Sequence, residues 1–178
     1  MPTTATKTSA KASKGASPKS SRASATTDAV KLLTADHKEV KGLFKAYEKL
    51  VKDEADSGEK HALALQICAM LTVHATIEEE IFYPAAREAL GEDEDLVDEA
   101  AVEHASAKDL IAQIEDGSPD DPLFDAKVKV LGEYIDHHVK EEEGEMFKKV
   151  GKSLDLDALG EELAARKAEL LGEADEPH

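Results

Sequence analysis

The chain has no tryptophan and only one cysteine, and aromatic residues make up 4% of its 178 positions. Each absence excludes something. A lone cysteine, Cys68, rules out an intramolecular disulfide and fits a reducing cytoplasm. Such a thiol ordinarily packs as a small apolar side chain. No run of 18 apolar residues occurs, so no segment is expected to span a membrane. The N-terminal stretch lacks the apolar region of a secretory signal. Basic charge is also scarce: 22 Lys and Arg stand against 39 Asp and Glu, a net charge of −17. That balance argues against nucleic acid or an anionic membrane as the main partner of the folded part. With few aromatics, a core has to be built from Ala, Leu, Ile and Val, a composition that favours helices.

What remains is enough for one domain. Hydrophobic residues are 41% and charged residues 34% of the chain, as in a globular protein. Residues 1–27 differ from the rest. They carry Lys7, Lys11, Lys14, Lys19 and Arg22, no acid, and no Leu, Ile, Val, Phe or Tyr. Such a segment cannot bury a core, and a disordered basic tail is expected. The tail's +5 leaves −22 for the remainder.

From residue 28 the pattern is helical. Thr27 or Asp28 can cap a first helix running to about Glu54, with Val30, Leu33, Val40, Phe44 and Tyr47 on one face. Asp56-Ser57-Gly58 precedes a second helix to about Leu90, in which Pro84 is expected to kink or close the last turns. A third runs from about Glu94 to Glu115. The loop Asp116–Pro122 leads to a fourth that ends near Val150, before Gly151. A short amphipathic helix, about Leu156 to Leu171, follows. The expectation is an all-α, up-down-up-down four-helix bundle over residues 28–150, with a short extra C-terminal helix within 151–178 packed outside or capping one end.

Four of the seven histidines fall in the apolar stripes, one per long helix. His37 lies between Leu33 and Val40. His74 follows Ile67 and Leu71. His104 follows Val97 and Ala100. His138 follows Leu131 and Ile135. Glu78 and Glu142 stand four residues after His74 and His138, so each pair shares a helix face, separated by about 6 Å along the axis. The pairs alone are weak signals. With 39 acids in 178 residues, about one histidine in five gains an acid at that spacing by chance. A single inward histidine is ordinarily a satisfied core residue. The conjunction is stronger, because a buried unpaired carboxylate costs several kcal/mol and two of them require compensating charge. Metal cations would supply it. Imidazole mixed with hard carboxylate oxygens suits iron or manganese. If Glu78 and Glu142 both bridge, two ions each keep an open position for a small ligand. His61, His137 and His178 are expected at the surface. His137 yields to His138 because its own face turns polar. Glu79, Glu80, Glu141 and Glu143 are expected to be solvated or to support the ligands from outside. Tyr134 is expected in the core, with a supporting hydrogen bond as the alternative. Lys108 is expected to point outward.

At Asp36-His37, His74-x-x-x-Glu78-Glu79 with Pro84 ten beyond the histidine, Glu103-His104, and His138-x-x-x-Glu142-Glu143 followed by Met146-Phe147, the chain resembles the hemerythrin-like family of HHE cation-binding domains. The resemblance covers roughly residues 28–150. It implies a four-helix bundle around two non-haem iron ions held by His37, His74, Glu78, His104, His138 and Glu142, with the two glutamates as bridges. The oxygen-carrier branch has a second histidine where Lys108 stands, and an aspartate five residues after its fourth-helix histidine rather than Glu142 at four. The chain therefore resembles the wider group with four histidines. The expected task is to bind or react with dioxygen, peroxide or nitric oxide in stress or iron handling. The alternatives are an iron sensor or store without turnover, and a bundle with no metal.

Overall fold

The computed structural model describes residues 28–174, so the basic tail and His178 lie outside the described residues. Asp28 closes the first turn of helix α1 (Ala29–Lys52), its side chain accepting from Lys31 N at 2.8 Å. Helix α2 (Ser57–Ile77) continues through a π turn (Glu78–Phe82) into α3 (Tyr83–Leu90). Helix α4 spans Asp95–Glu115. Helix α5 (Phe124–Glu141) continues through a second π turn (Glu142–Met146) into α6 (Phe147–Val150). Helix α7 spans Leu156–Ala174. Among the described residues there is no strand, and no helix is long and apolar enough to cross a membrane.

Four rods form the bundle. Helix α1 packs on α2, α2 on α4, α4 on α5, and α5 back on α1. The extra C-terminal helix is present, runs 19 residues to Ala174, and lies along α1, α2 and the first π turn. Leu163 anchors it with no exposed surface.

The apolar stripes do not make one continuous core. One cluster gathers Val40, Tyr47, Ile67, Leu71, Ile111 and Leu131 with their neighbours. The other gathers Leu33, Ile77, Phe82, Val97, Met146 and Leu163. Between these sets, in every rod, stand the buried polar residues: Asp36 and His37 on α1, His74 and Glu78 on the second rod, His104 on α4, His138 and Glu142 on the fourth rod. The bundle is thus a polar layer between two apolar ones. Cys68 belongs to the first apolar cluster, and burial pushes its thiol pKa up to about 12.

The π turns depart from the expected continuous helices. Each starts at a buried glutamate: Tyr83 N–H donates to Glu78 O, and Phe147 N–H to Glu142 O. Pro84 has no N–H and its ring would press on the carbonyl four residues back, so a widened turn just before it relieves a conflict that a regular helix would keep. Gly144 lies inside the second turn. Two expectations of placement fail. Tyr134 is 48% exposed rather than in the core, because its side of α5 faces solvent. His61 is half-buried rather than at the surface, its ring against Phe124 at 5.7 Å.

Helix α1 ends on Glu54, a non-glycine residue at φ 52, with Ala55 N–H closing back on Leu50 O at 3.0 Å. This left-handed position suits glycine. Replacing Glu54 by Gly is expected to stabilise the protein by about 1 kcal/mol, read as a higher urea midpoint. An unchanged or lower midpoint would show that the Glu54 side chain offsets the strain.

Candidate metal centre

The polar layer is built from two similar halves. In each, an acid–histidine pair on one helix faces a His-x-x-x-Glu-Glu segment running into a π turn. Asp36-His37 faces His138–Glu143, and Glu103-His104 faces His74–Glu79. The structure brings all six residues expected from the sequence together, and the two glutamates are 0% and 1% exposed.

The inner imidazole atoms converge. His37 Nε2 and His74 Nε2 are 3.1 Å apart, and His104 Nε2 and His138 Nε2 are 3.2 Å apart. Glu78 lies between the pairs, with Oε1 3.2 Å from His74 Nε2 and Oε2 3.3 Å from His104 Nε2. Glu142 Oε2 is 3.3 Å from His37 Nε2 and 3.4 Å from His138 Nε2. Both oxygens of Glu78 and Oε2 of Glu142 are buried without a hydrogen bond of good geometry.

The outer ring atoms decide what the inner ones carry. His37 Nδ1–H donates to Glu143 Oε1 at 2.9 Å and His104 Nδ1–H to Glu79 Oε1 at 3.0 Å. His138 Nδ1–H donates to Glu103 Oε2 at 2.8 Å and His74 Nδ1–H to Asp36 Oδ2 at 3.3 Å. A neutral imidazole that donates from Nδ1 presents a lone pair at Nε2. Two lone pairs 3 Å apart repel, as do the carboxylate oxygens beside them. A cation between them turns every one of these contacts favourable. The donor set, four imidazoles and two carboxylates, therefore fits a pair of metal ions: His37, His74, Glu78 and Glu142 could hold one, and Glu78, His104 and His138 the other.

Protons can supply part of the same positive charge. Burial disfavours the His74 imidazolium, but Glu78, Asp36 and Glu142 outweigh it and push its pKa up to about 10. His138 is likewise pushed up to about 9 by Glu142, Glu78 and Glu103 against its burial. Burial raises Glu78 and Glu142, and Glu78 raises Glu142 further, yet the surrounding histidines hold both carboxyls below their ordinary range. The site is a concentrated negative field that attracts cations of any kind.

Several contributors were not expected. Tyr83 Oη donates to Glu142 Oε1 at 2.8 Å and lies 3.1 Å from His104 Nε2. Burial, with Glu78 and Glu142 adding to it, keeps its phenol protonated far above the ordinary range. Lys108 does reach outward, but its Nζ donates to both oxygens of Glu79, at 2.8 and 2.6 Å, and its stem lines a small cavity below the imidazoles. That cavity holds about 20 Å³ and is walled mainly by Val40, Leu71, Ala107, Ile111, Ile135 and Val139. Glu80 pairs with Arg166 at 2.7 Å, and His137, 64% exposed, pairs with Glu141 at 3.2 Å.

The comparisons bear on the same residues. The chain is 36% identical over 89 residues to a DNA nickase of Nostoc sp., a match that covers 50% of this chain and 25% of that protein. The chain thus spans about a quarter of that relative. In structure it is similar to a hemerythrin HHE cation-binding domain-containing protein from Mycobacterium kansasii, with a TM-score of 0.68 and 27% identity over 83% of this chain and 90% of the other. The family model for the hemerythrin HHE cation-binding domain matches residues 28–150, the span that carries the whole polar layer. With that match over the bundle and a metal-compatible donor set at its centre, the chain belongs to the hemerythrin HHE cation-binding domain family.

Proposed function

We propose that the polar layer holds two non-haem iron ions, with His37, His74, His104 and His138 as terminal ligands and Glu78 and Glu142 as bridges. The observation that carries this reading is Glu78, whose two oxygens face different histidine pairs while neither finds a hydrogen bond. Manganese is the alternative ion for the same donors. When bound in the reduced state, such a metal pair would supply electrons to a small oxidant. The protein's own part is to place and shield that reaction. Asp36, Glu79, Glu103 and Glu143 fix the imidazole orientations. Tyr83 holds a proton at Oη, on the side of His104. The apolar cavity of about 20 Å³ admits a ligand of two or three atoms and little else.

We infer a protein that binds or reacts with dioxygen, peroxide or nitric oxide, working in stress or iron handling. The nickase relative does not extend this reading, because the acidic body repels phosphate backbones. An iron sensor or store without turnover is the second reading, favoured by the tightness of the cavity. Repeated consumption of peroxide by the reduced protein supports the first reading. A single stoichiometric colour change supports the second.

Protein produced with iron is expected to contain two irons per chain, and His74→Ala one or fewer, measured by elemental analysis beside the visible spectrum. Full iron in the His74 variant would contradict the ligand assignment. Tyr83→Phe removes a single oxygen and is expected to keep both irons. It should slow the reaction of the reduced protein with peroxide by about tenfold or more, the scale of a lost proton donor. An unchanged rate and spectrum would show that the hydroxyl serves packing alone.

A further inference from the structure

The two halves of the site differ at their outer edges. On one side Asp36 holds His74, and its other oxygen accepts from Lys167 of α7. That face is closed. On the other side Glu103 holds His138 through Oε2, and its Oε1 faces outward, 3.4 Å from His137 Nε2. Glu141 Oε1 is 3.2 Å from the same nitrogen. One imidazole and two carboxylates thus offer donor atoms within 4.8 Å of one another, where solvent reaches them. The matching positions in the first half are Val73 and Ile77, which bind no cation.

A second observation points inward from this cluster. Behind it lies a cavity of about 10 Å³ whose wall includes Glu103, Glu141, His138, Glu142 and Met146. Its outer wall is the exposed cluster and its inner wall is the buried centre. Glu142 reaches it while 1% exposed, its Oε2 lying on the inner side, 3.3 Å from His37 Nε2 and 3.4 Å from His138 Nε2. Glu103 belongs to both sides, one oxygen on each. A cation at the surface cluster would be one carboxylate away from His138, across a small cavity whose wall mixes Glu103, Glu141, His138 and Glu142 with Leu96, Ala100 and Met146.

We propose that Glu103, His137 and Glu141 form a solvent-facing site for a divalent cation that receives metal and passes it to the buried centre. This role rests on the proposed buried metal pair. One imidazole with two carboxylates suits Fe(II), Mn(II) or Co(II), with water completing the shell. Partial exposure makes the cation exchangeable, as a transfer site requires. The direction is set by donor number, since the inner layer offers two carboxylates and four imidazoles against two carboxylates and one imidazole outside.

The test uses the full chain stripped of metal. Mn(II) titration followed by electron paramagnetic resonance is expected to find two tight equivalents and a third, weaker one. The double variant His137→Ala/Glu141→Gln should lose the weak equivalent and keep the tight ones. Mixed with Fe(II), it should fill the buried centre at least tenfold more slowly than the wild type, to the same final content. Glu133→Gln makes a similar charge change on the exposed face of α5 and should load at the wild-type rate. A double-variant rate within twofold of wild type, or a weak equivalent that survives the substitutions, overturns the proposal. Failure of both proteins to hold any metal at equilibrium would sink the buried-centre reading and the transfer role with it.

Discussion

Two carboxylates, Glu78 and Glu142, are removed from water in the middle of a helical bundle, and the rest of the molecule is arranged around that cost. Burying one unpaired carboxylate costs several kcal/mol, and placing a second beside it costs more. Four imidazoles surround them with their Nε2 atoms. Four outer carboxylates then hold the Nδ1 atoms, so each imidazole that loses its second proton presents the lone pair at the inner nitrogen. Metal ions and protons therefore compete for the same inner nitrogens. Apolar layers on both sides keep water from screening the field.

The near-twofold repetition explains how so many polar groups are satisfied at once. Each acid–histidine pair places one imidazole in the layer and holds another across the bundle, and each Glu-Glu pair places one carboxylate there and holds an imidazole. The symmetry breaks in two places, and both breaks are chemical. Tyr83 stands where the other half has Phe147, so only one histidine pair has a hydroxyl beside it. Lys167 closes the outer oxygen of Asp36, whereas the outer oxygen of Glu103 faces His137. Two metals in this layer would not be equivalent: one would sit near a protonated phenol, and one edge of the layer opens to solvent through charged groups.

The helical stripes made the bundle and the six inward residues legible, because a regular helix carries its pattern in the spacing alone. The π turns are invisible to that method, and Tyr83 shows the consequence. It follows His74 by nine residues, so on a regular helix it faces about 180° away. The extra residue in the turn at Glu78–Phe82 rotates it inward, and it buries with Phe82 instead of opposing it. Phe147 is brought in the same way after Glu142. The supporting roles of Asp36, Glu79, Glu103 and Glu143 were hidden for another reason. In a chain this acidic, a glutamate beside a ligand cannot be told from a solvated one until the helix across the bundle is placed. Tyr134 misled because its ring lies on the same helix as His138 but on the outward side.

The position of the polar layer bears on what the metal does for the fold. In small domains whose ligands lie on otherwise unstable segments, binding energy is folding energy. Here each long rod passes through an apolar cluster before the layer and another after it, so the ligands are held from both ends by packing that does not involve them. The last helix adds a third anchor, tying Leu163 into the core and Lys167 onto Asp36. The raised pKa values of His74 and His138 let imidazolium–carboxylate pairing offset part of the buried charge. The scaffold therefore presents a preformed site, and metal occupancy becomes a variable the protein can register without unfolding. That property serves a reactive centre and a sensor equally well. It places the distinction between them in the small-molecule cavity and in the hydroxyl of Tyr83, not in the stability of the bundle.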